Sequence, residues 1–268
     1  MDIKKNIILH DKIAKKYEST HGEIYNKVEQ SRLIEDLTTS YSYIKKDKIL
    51  ALDLGCGAGN LTNHLLNIGC SVIAADVSTG FLNLISKKFE GKKVQTFKLN
   101  GENLDGIEDS SVDFIATYSV LHHIPDYLAT IHEMIRVCAP GGVIYIDHEQ
   151  NNEYWLRKSD YLEFKRKAQK IDFKKFFVAA NYIGKIKRIF NPKYANEGDI
   201  HVWDDDHIEW DIIDKIMSEK GLKKVLQNDF LLYNKNYLEH VFNEYKDVCT
   251  DMRVTAYQKS PVKINMLS

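Results

Sequence analysis

Five short apolar segments alternate with helix-like segments between residues 49 and 149. The apolar segments have the length of strands that are buried on both faces of a sheet, and they begin at Ile49, Val72, Val94, Val112 and Val143. Between them, apolar residues recur at spacings of three and four, which is typical of amphipathic helices. This alternation predicts βαβ units, and therefore a parallel sheet with right-handed crossovers.

A polar residue stands at or just after the carboxyl end of each predicted strand. These residues are Asp53, Asp76, Asn100, Tyr118 and His148. The carboxyl ends of parallel strands meet at one edge of a sheet, where open α/β proteins bind their ligands. The pattern therefore predicts one ligand rim. Residues 140–142, Pro-Gly-Gly, favour a turn just before the fifth strand.

The flanking segments predict further elements around this core, which spans 49–149. Residues 1–48 predict a helical leader, whose apolar stripe comprises Val28, Leu33, Ile34, Leu37, Tyr41 and Ile44. Residues 150–205 break the alternation and are rich in basic and aromatic side chains, which we interpret as an inserted helical lid. Residues 206–268 predict a helix over 208–220, with a capping box at Asp206 and Glu209 and a stop at Gly221. Two further strands, 222–232 and 253–258, would complete a doubly wound, mostly parallel, seven-stranded sheet.

Composition and charge are those of an ordinary globular protein. The 268 residues carry a net charge of −1, which gives no overall attraction to nucleic acid or anionic membrane. No apolar run is long enough to span a bilayer, and the amino terminus lacks the pattern of a signal peptide. The four cysteines have no CxxC spacing, which favours a cytoplasmic protein and argues against a disulfide framework or structural zinc.

Three glycines follow the first strand and narrow the choice of ligand. Gly55, Gly57 and Gly59 give the spacing GxGxG, whereas a dinucleotide site needs GxGxxG, and position 60 is Asn. Asp53 stands two residues before the first glycine, where a carboxylate would repel a pyrophosphate. The same carboxylate suits a ligand that carries an ammonium and a sulfonium, which predicts S-adenosylmethionine.

The glycine loop resembles motif I of the class I S-adenosylmethionine-dependent methyltransferases. Four later segments resemble that family in the same order: 76–82, 100–104, 113–123 and 133–142. The resemblance covers residues 50–147. It implies the Rossmann-like fold of the family, a methyltransferase activity, S-adenosylmethionine as the cofactor and S-adenosylhomocysteine as its product.

The resemblance also implies roles for individual residues. Asp76 would accept hydrogen bonds from the two ribose hydroxyls, Asp53 would lie near the ammonium group, and Asn100 would meet the adenine, where the family more often has Asp. The Tyr118 carbonyl would reach the ammonium group, and Tyr17 would fold over the methionine end. The cofactor residues implied are Tyr17, Asp53, Gly55, Cys56, Gly57, Gly59, Asp76, Val77, Asn100, Gly101, Glu102, Tyr118 and Ser119.

Histidines at the predicted rim are the candidates for a general base, because His titrates near neutral pH. His122 and His123 follow the fourth strand. His148 follows the fifth strand beside Asp147, with which it could pair. His21 of the leader could also approach the site.

A metal site is less favoured by the sequence. His148, Glu149 and the cluster at 204–207 could supply ligands, but helix N-capping explains those aspartates more simply. We therefore expect no metal.

The acceptor of the methyl group is not specified by these motifs. The basic aromatic segment 150–205 has four possible interpretations. Its lysines are solvated and cover an aromatic lid, or they recognise an acidic or phosphorylated small molecule. Alternatively, the segment contacts a lipid-like acceptor at a membrane, or it binds RNA. We expect a small-molecule acceptor, with anionic compounds among the candidates, and not a nucleic acid. Two other functions stay open: a non-catalytic S-adenosylmethionine-binding module and a nicotinamide-dependent oxidoreductase, which Asn60 disfavours.

Overall fold

The computed structural model describes residues 24–169 and 207–261. Tyr17, His21, Asp206 and the part of the predicted lid from 170 to 205 lie outside these residues. The division of the chain into leader, core, lid and C-terminal segment stays a prediction. Within the described ranges, no helix is long and apolar enough to cross a membrane.

The centre of the molecule is a seven-stranded sheet. Its strands are β1 (Leu50–Leu54), β2 (Ser71–Asp76), β3 (Val94–Lys98), β4 (Val112–Tyr118), β5 (Cys138–Gln150), β6 (Leu222–Phe230) and β7 (Met252–Lys259). They lie in the order β3-β2-β1-β4-β5-β7-β6. Neighbouring strands are parallel except at β7, which is antiparallel to β5 and β6. The predicted α/β, mostly parallel, seven-stranded sheet is confirmed.

Helices connect and cover these strands. They are α1 (Lys27–Tyr41), α2 (Asn60–Asn67), α3 (Thr79–Lys88), α4 (Tyr127–Val137), α5 (Asn152–Leu156), α6 (Ser159–Ala168), α7 (Trp210–Glu219) and α8 (Glu239–Tyr245). Four of them begin at a side chain that accepts from a backbone N–H of the first turn, which stabilises the helix start. These capping residues are Asn26 for α1, Ser78 for α3, Asp126 for α4 and Asn151 for α5.

The central strands bury both faces, because apolar layers lie on each side of the sheet. One layer contains Leu52, Ile115 and Ile144 together with Trp210 of α7. The other contains Ala51, Phe114 and Val143 together with Leu33 and Leu37 of α1. Successive residues of a strand therefore pack into opposite layers, as the short apolar segments predict.

The predicted apolar stripe of the leader is partly wrong. Val28 is 49% exposed and Ile34 is 47% exposed, although both were assigned to the buried stripe. Glu29 and Asp36 are buried instead, beside Leu33. The physical reason is that Arg32 forms ion pairs with both acids, so charged side chains can occupy the helix face that meets the sheet.

The turn predicted at residues 140–142 is a bulge inside β5. Cys138 pairs with Val112, and Val143 pairs with Phe114, so four residues of β5 lie opposite one residue of β4. Gly141, with φ of 78°, provides the backbone conformation that this needs. The strand also continues past His148 to Gln150, because it pairs with β7 there.

Candidate active site

The three glycines of the loop after β1 differ in what surrounds them. A Cβ built on Gly55 would lie 2.5 Å from Val120 Cγ2, and one on Gly59 would lie 2.5 Å from Ile85 Cδ1. Both glycines are therefore required by packing within the protein. A Cβ on Gly57 would meet no atom within 4 Å. Gly57 thus borders the open side of the loop, where its backbone can approach a ligand.

Asp76 connects the end of β2 to this loop. Its Oδ2 accepts from the Gly57 N–H at 2.9 Å, and its Oδ1 accepts from the Ser78 N–H at 2.7 Å. Each oxygen of an ionised carboxylate has two lone pairs and can accept more than one hydrogen bond. The geometry suits the expected role of Asp76, in which the carboxylate accepts hydrogen bonds from two hydroxyl groups of a ribose.

Asp53 lies beneath the loop. It is 1% exposed, and its Oδ2 accepts from the Thr62 hydroxyl at 2.5 Å. Burial raises the pKa of Asp53 to about 7; the Thr62 hydrogen bond opposes the rise and the charge of Asp76 adds to it. Burial also raises the pKa of the Cys56 thiol well above its usual range, which makes that cysteine unreactive.

The segment after β3 forms its own turn. The Asn100 Oδ1 accepts from the N–H of Glu102 at 2.8 Å and from that of Asn103 at 3.0 Å. Gly101, with φ of 87°, allows this tight turn. The Val77 carbonyl, across the rim, accepts from Lys98. The contact expected between Asn100 and adenine would have to share an oxygen that already accepts two backbone bonds, and it stays a prediction.

At the other end of the rim, His122 pairs with Glu149. His122 Nδ1 lies 2.7 Å from Glu149 Oε2, and the carboxylate is fully buried. Glu149 Oε1 accepts from the N–H groups of Val120 and Leu121 at 2.9 and 2.8 Å. The ring of His123 lies 4.0 Å from that of His122. Of the three predicted histidines, His122 is the one that the structure shows bound to a carboxylate.

His148 has a different environment. It occupies a second bulge of β5 with φ of 60°, an unfavourable backbone conformation for a residue other than glycine. Its ring stacks on Tyr118 at 4.7 Å and both ring nitrogens are buried without a hydrogen-bond partner. The predicted alternative, in which the His148 ring pairs with the Asp147 carboxylate, is therefore wrong. Asp147 Oδ1 accepts from the His148 backbone N–H at 2.6 Å instead. Ser119, with φ of 59°, donates its N–H to the Asp147 carbonyl.

An ionic cluster that the sequence pattern does not predict lies beside this end of the rim; it is formed by Glu29, Arg32, Asp36 and Asp147. Arg32 contacts the three carboxylates at 2.5, 2.8 and 3.0 Å. Tyr118 donates to Glu29 and Tyr145 donates to Asp147. Burial alone would raise the pKa of Glu29, but Arg32 outweighs it and holds that pKa below 4.5. The signal available in the sequence is the spacing of Glu29, Arg32 and Asp36, which places them on one helix face.

The chemistry of this rim suits S-adenosylmethionine. The open side of the Gly57 backbone adjoins a carboxylate with acceptor capacity, and a histidine–carboxylate pair lies at the opposite end. The described residues contain no group of three His, Cys, Asp or Glu side chains placed to hold a metal ion. Tyr17, the remaining predicted cofactor residue, lies outside the described ranges.

Comparisons with known proteins give the same picture. A family model described as "Methyltransferase domain" matches residues 52–146. A demethylmenaquinone methyltransferase of Bacillus velezensis is 30% identical over 161 residues, which are 58% of this chain and 68% of that protein. A ubiquinone biosynthesis O-methyltransferase of Methylococcus capsulatus is 27% identical over 97 residues, which are 35% of this chain and 41% of that protein. The chain thus spans about two thirds of the first relative and less than half of the second.

Solved structures show the same fold. A methyltransferase from Methanosarcina mazei superposes with a TM-score of 0.54 at 19% identity, over 82% of this chain and 96% of that one. A methyltransferase from Mesorhizobium loti superposes with a TM-score of 0.54 at 13% identity, over 84% of this chain and 97% of that one. Both proteins are described as S-adenosylmethionine-dependent methyltransferases.

Proposed function

Because the chain belongs to the class I S-adenosylmethionine-dependent methyltransferases, we propose that it methylates a small-molecule acceptor by in-line displacement, with His122 as the general base. S-adenosylmethionine is its cofactor, and the alternative of a nicotinamide-dependent oxidoreductase finds no support in the relatives. The substrate class, the displacement geometry and the base belong to the proposal.

The observation that carries the proposal is the contact between the glycine loop and the turn after β4. Gly55 packs so closely on Val120 that a Cβ would overlap it, and His122 follows Val120 by two residues. The cofactor loop therefore packs against the turn that carries the histidine–carboxylate pair. Proximity of this kind supplies a large part of the catalysis of a bimolecular transfer, roughly 7–11 kcal/mol when orientation is good.

Asp76, Gly57 and His122 have separate parts in the proposed reaction. When bound, the cofactor would supply a methyl group on a sulfonium, which is electrophilic without a metal. Asp76 and the Gly57 backbone would hold the nucleoside part, and the acceptor's nucleophilic atom would bond to the methyl carbon as the carbon–sulfur bond breaks. His122 accepts the proton that a hydroxyl acceptor loses, and later releases it to water. A base of this kind typically contributes 10²–10⁴-fold.

The compounds to be tested as methyl acceptors are chosen from the names of the relatives and from the basic side chains of the α5–α6 segment. The names of the two relatives refer to menaquinone and ubiquinone compounds, which favours hydroxylated aromatic rings as first candidates. Arg157, Lys158, Arg166 and Lys167 are exposed on the α5–α6 segment, which supports testing acidic ring compounds beside neutral ones.

The experiment is a methyl-transfer assay with isotopically labelled S-adenosylmethionine and a panel of naphthoquinols, catechols and hydroxybenzoates. We expect labelled product with at least one ring hydroxyl compound. His122→Gln should lower kcat by about 10²-fold or more for a hydroxyl acceptor, whereas His132→Gln, a histidine on α4 outside the rim, should leave it unchanged. Tight binding of S-adenosylhomocysteine without transfer to any acceptor would instead favour the non-catalytic binding module.

A further inference from the structure

Glu149 directs both of its carboxylate oxygens at one short segment of the chain. Oε1 accepts from the backbone N–H groups of Val120 and Leu121, and Oε2 contacts His122 Nδ1 at 2.7 Å. Glu149 is fully buried, so these bonds are not shared with bulk water. A buried carboxylate is costly unless it is fully hydrogen-bonded, and here three donors of a single turn meet that requirement.

The contacts of Glu149 favour the ionised form of its carboxylate. Burial raises the pKa of Glu149, but the charge and hydrogen bond of His122, together with the N–H groups of Leu121 and Val120, outweigh it and keep the pKa below 4.5. An ionised carboxylate can only accept hydrogen bonds. The proton in the bond to His122 must therefore belong to Nδ1 of the imidazole.

The position of that proton determines what the other ring nitrogen can do. In a neutral imidazole with hydrogen on Nδ1, the lone pair is on Nε2, which is then the acceptor nitrogen. We infer that Glu149 is a positioning residue, which holds His122 in the tautomer that accepts a proton at Nε2 and fixes residues 120–122 against the glycine loop. This inference rests on the proposed function, because it takes His122 as the base.

The neighbouring groups are compatible with this assignment. His123, from the same turn, is a titratable side chain whose ring contacts that of His122. On the adjacent strand ends, Tyr118 donates its hydroxyl to Glu29 and stacks on His148. The Glu149 carboxylate contacts the Nδ1 side of His122.

The decisive variant is Glu149→Gln, which changes the tautomer and not the shape. The amide oxygen of Gln can keep both backbone bonds, while its NH₂ group must donate to His122 Nδ1. The hydrogen of the neutral imidazole then moves to Nε2, which can no longer accept a proton. We expect kcat for a neutral phenolic acceptor to fall by about 10²-fold or more, with the affinity for S-adenosylhomocysteine and the acceptor KM unchanged.

A second acceptor separates positioning from a merely structural role. A dinitrophenol is already ionised at neutral pH and needs no base. The same variant should therefore lose less than about threefold in kcat with the dinitrophenol, well below the range that a base contributes. Equal losses with both acceptors, or a weaker affinity for S-adenosylhomocysteine, would show that Glu149 only supports the fold and would overturn the inference.

Glu153→Gln is the matched control. Glu153 also accepts from a backbone N–H and from a cationic side chain, but its partners are Thr250 and Lys158, away from the histidines. We expect unchanged kinetics with both acceptors. If it reproduced the loss seen at position 149, the effect would not be specific to the His122 pair.

One measurement is independent of activity. Nitrogen-15 NMR of the histidine side chains distinguishes a protonated ring nitrogen from one that carries a lone pair. In the wild-type protein, the neutral His122 should have its hydrogen on Nδ1, and in Glu149→Gln it should have it on Nε2. A wild-type His122 with hydrogen on Nε2 would overturn the inference even if methyl transfer were established, whereas the expected pattern in a protein that methylates nothing would contradict the proposed function alone.

Discussion

At the β1–β2 end of the rim the site is built from backbone, whereas at the β4–β5 end it is built from buried charges. Gly55 and Gly59 allow close packing of the glycine loop, and Asp76 holds it through the Gly57 N–H. At the other end, the ionic cluster and the His122–Glu149 pair order the turn after β4. The order of the first end therefore depends on chain shape, while that of the second depends on paired side chains from distant elements.

The largest expected effect comes from removing the cation of the ionic cluster. Arg32→Ala would leave Glu29 and Asp147 buried without a counter-ion, which should lower the free energy of unfolding by about 3–5 kcal/mol. Urea denaturation measures this change. Lys215→Ala, which breaks the exposed pair with Glu219, is the control and should have no measurable effect. A loss no larger than the control's would mean that the charges at this end are not essential for order.

A smaller effect on stability is expected from substitution of Asp53, the buried acid at the β1–β2 end of the rim. The pKa of Asp53 rises from 3.8 to about 7 on folding, so its contribution to stability is complete below about pH 4 and is lost as the pH rises to about 7. Asp53→Asn removes this loss while the amide oxygen can still accept from Thr62. The variant should gain about 2–4 kcal/mol relative to the wild type between pH 4 and pH 7.5.

That gain is measured as the difference between the two proteins in denaturation experiments at several pH values. Asp109→Asn, at an acid whose side chain is 74% exposed, is the control. A difference between wild type and Asp53→Asn that does not change with pH would show that Asp53 is ionised in the folded protein.

The smallest expected effects on stability come from alanine substitutions in the glycine loop, which distinguish Gly55 from Gly57. Gly55→Ala places a Cβ against Val120 at positive φ and should cost about 1–3 kcal/mol of stability. Gly57→Ala meets no neighbour, so it should cost only about 1 kcal/mol. It should nevertheless weaken S-adenosylhomocysteine binding by about tenfold, because the methyl group stands where the ligand approaches. Thermal denaturation and calorimetric titration measure the two quantities, and a reversed order would mean that Gly55 and not Gly57 faces the ligand.

Much of the fold could be predicted from local pattern. The strands are short apolar segments that must be buried on both faces, and all seven are found close to their predicted positions. The leader stripe was partly wrong because Val28 and Ile34 are apolar yet exposed. Helix α8 was not predicted, and its buried residues pack against Tyr161 and Phe164 of α6, a long-range partnership without a local signal.

The sequence by itself determined the parallel sheet, the glycine loop, the acid at the end of β2 and the class of cofactor, because each depends on residues that are close together in the chain. Only the tertiary structure decided that Gly57, and not Gly55 or Gly59, faces open space. It also decided that Arg32 of α1 pairs with Asp147 of β5 and that Glu149 of β5 contacts His122. Hydrogen bonds and ion pairs of this kind join elements far apart in sequence. Their partners are therefore set by how the helices pack on the strand ends and not by spacing along the chain.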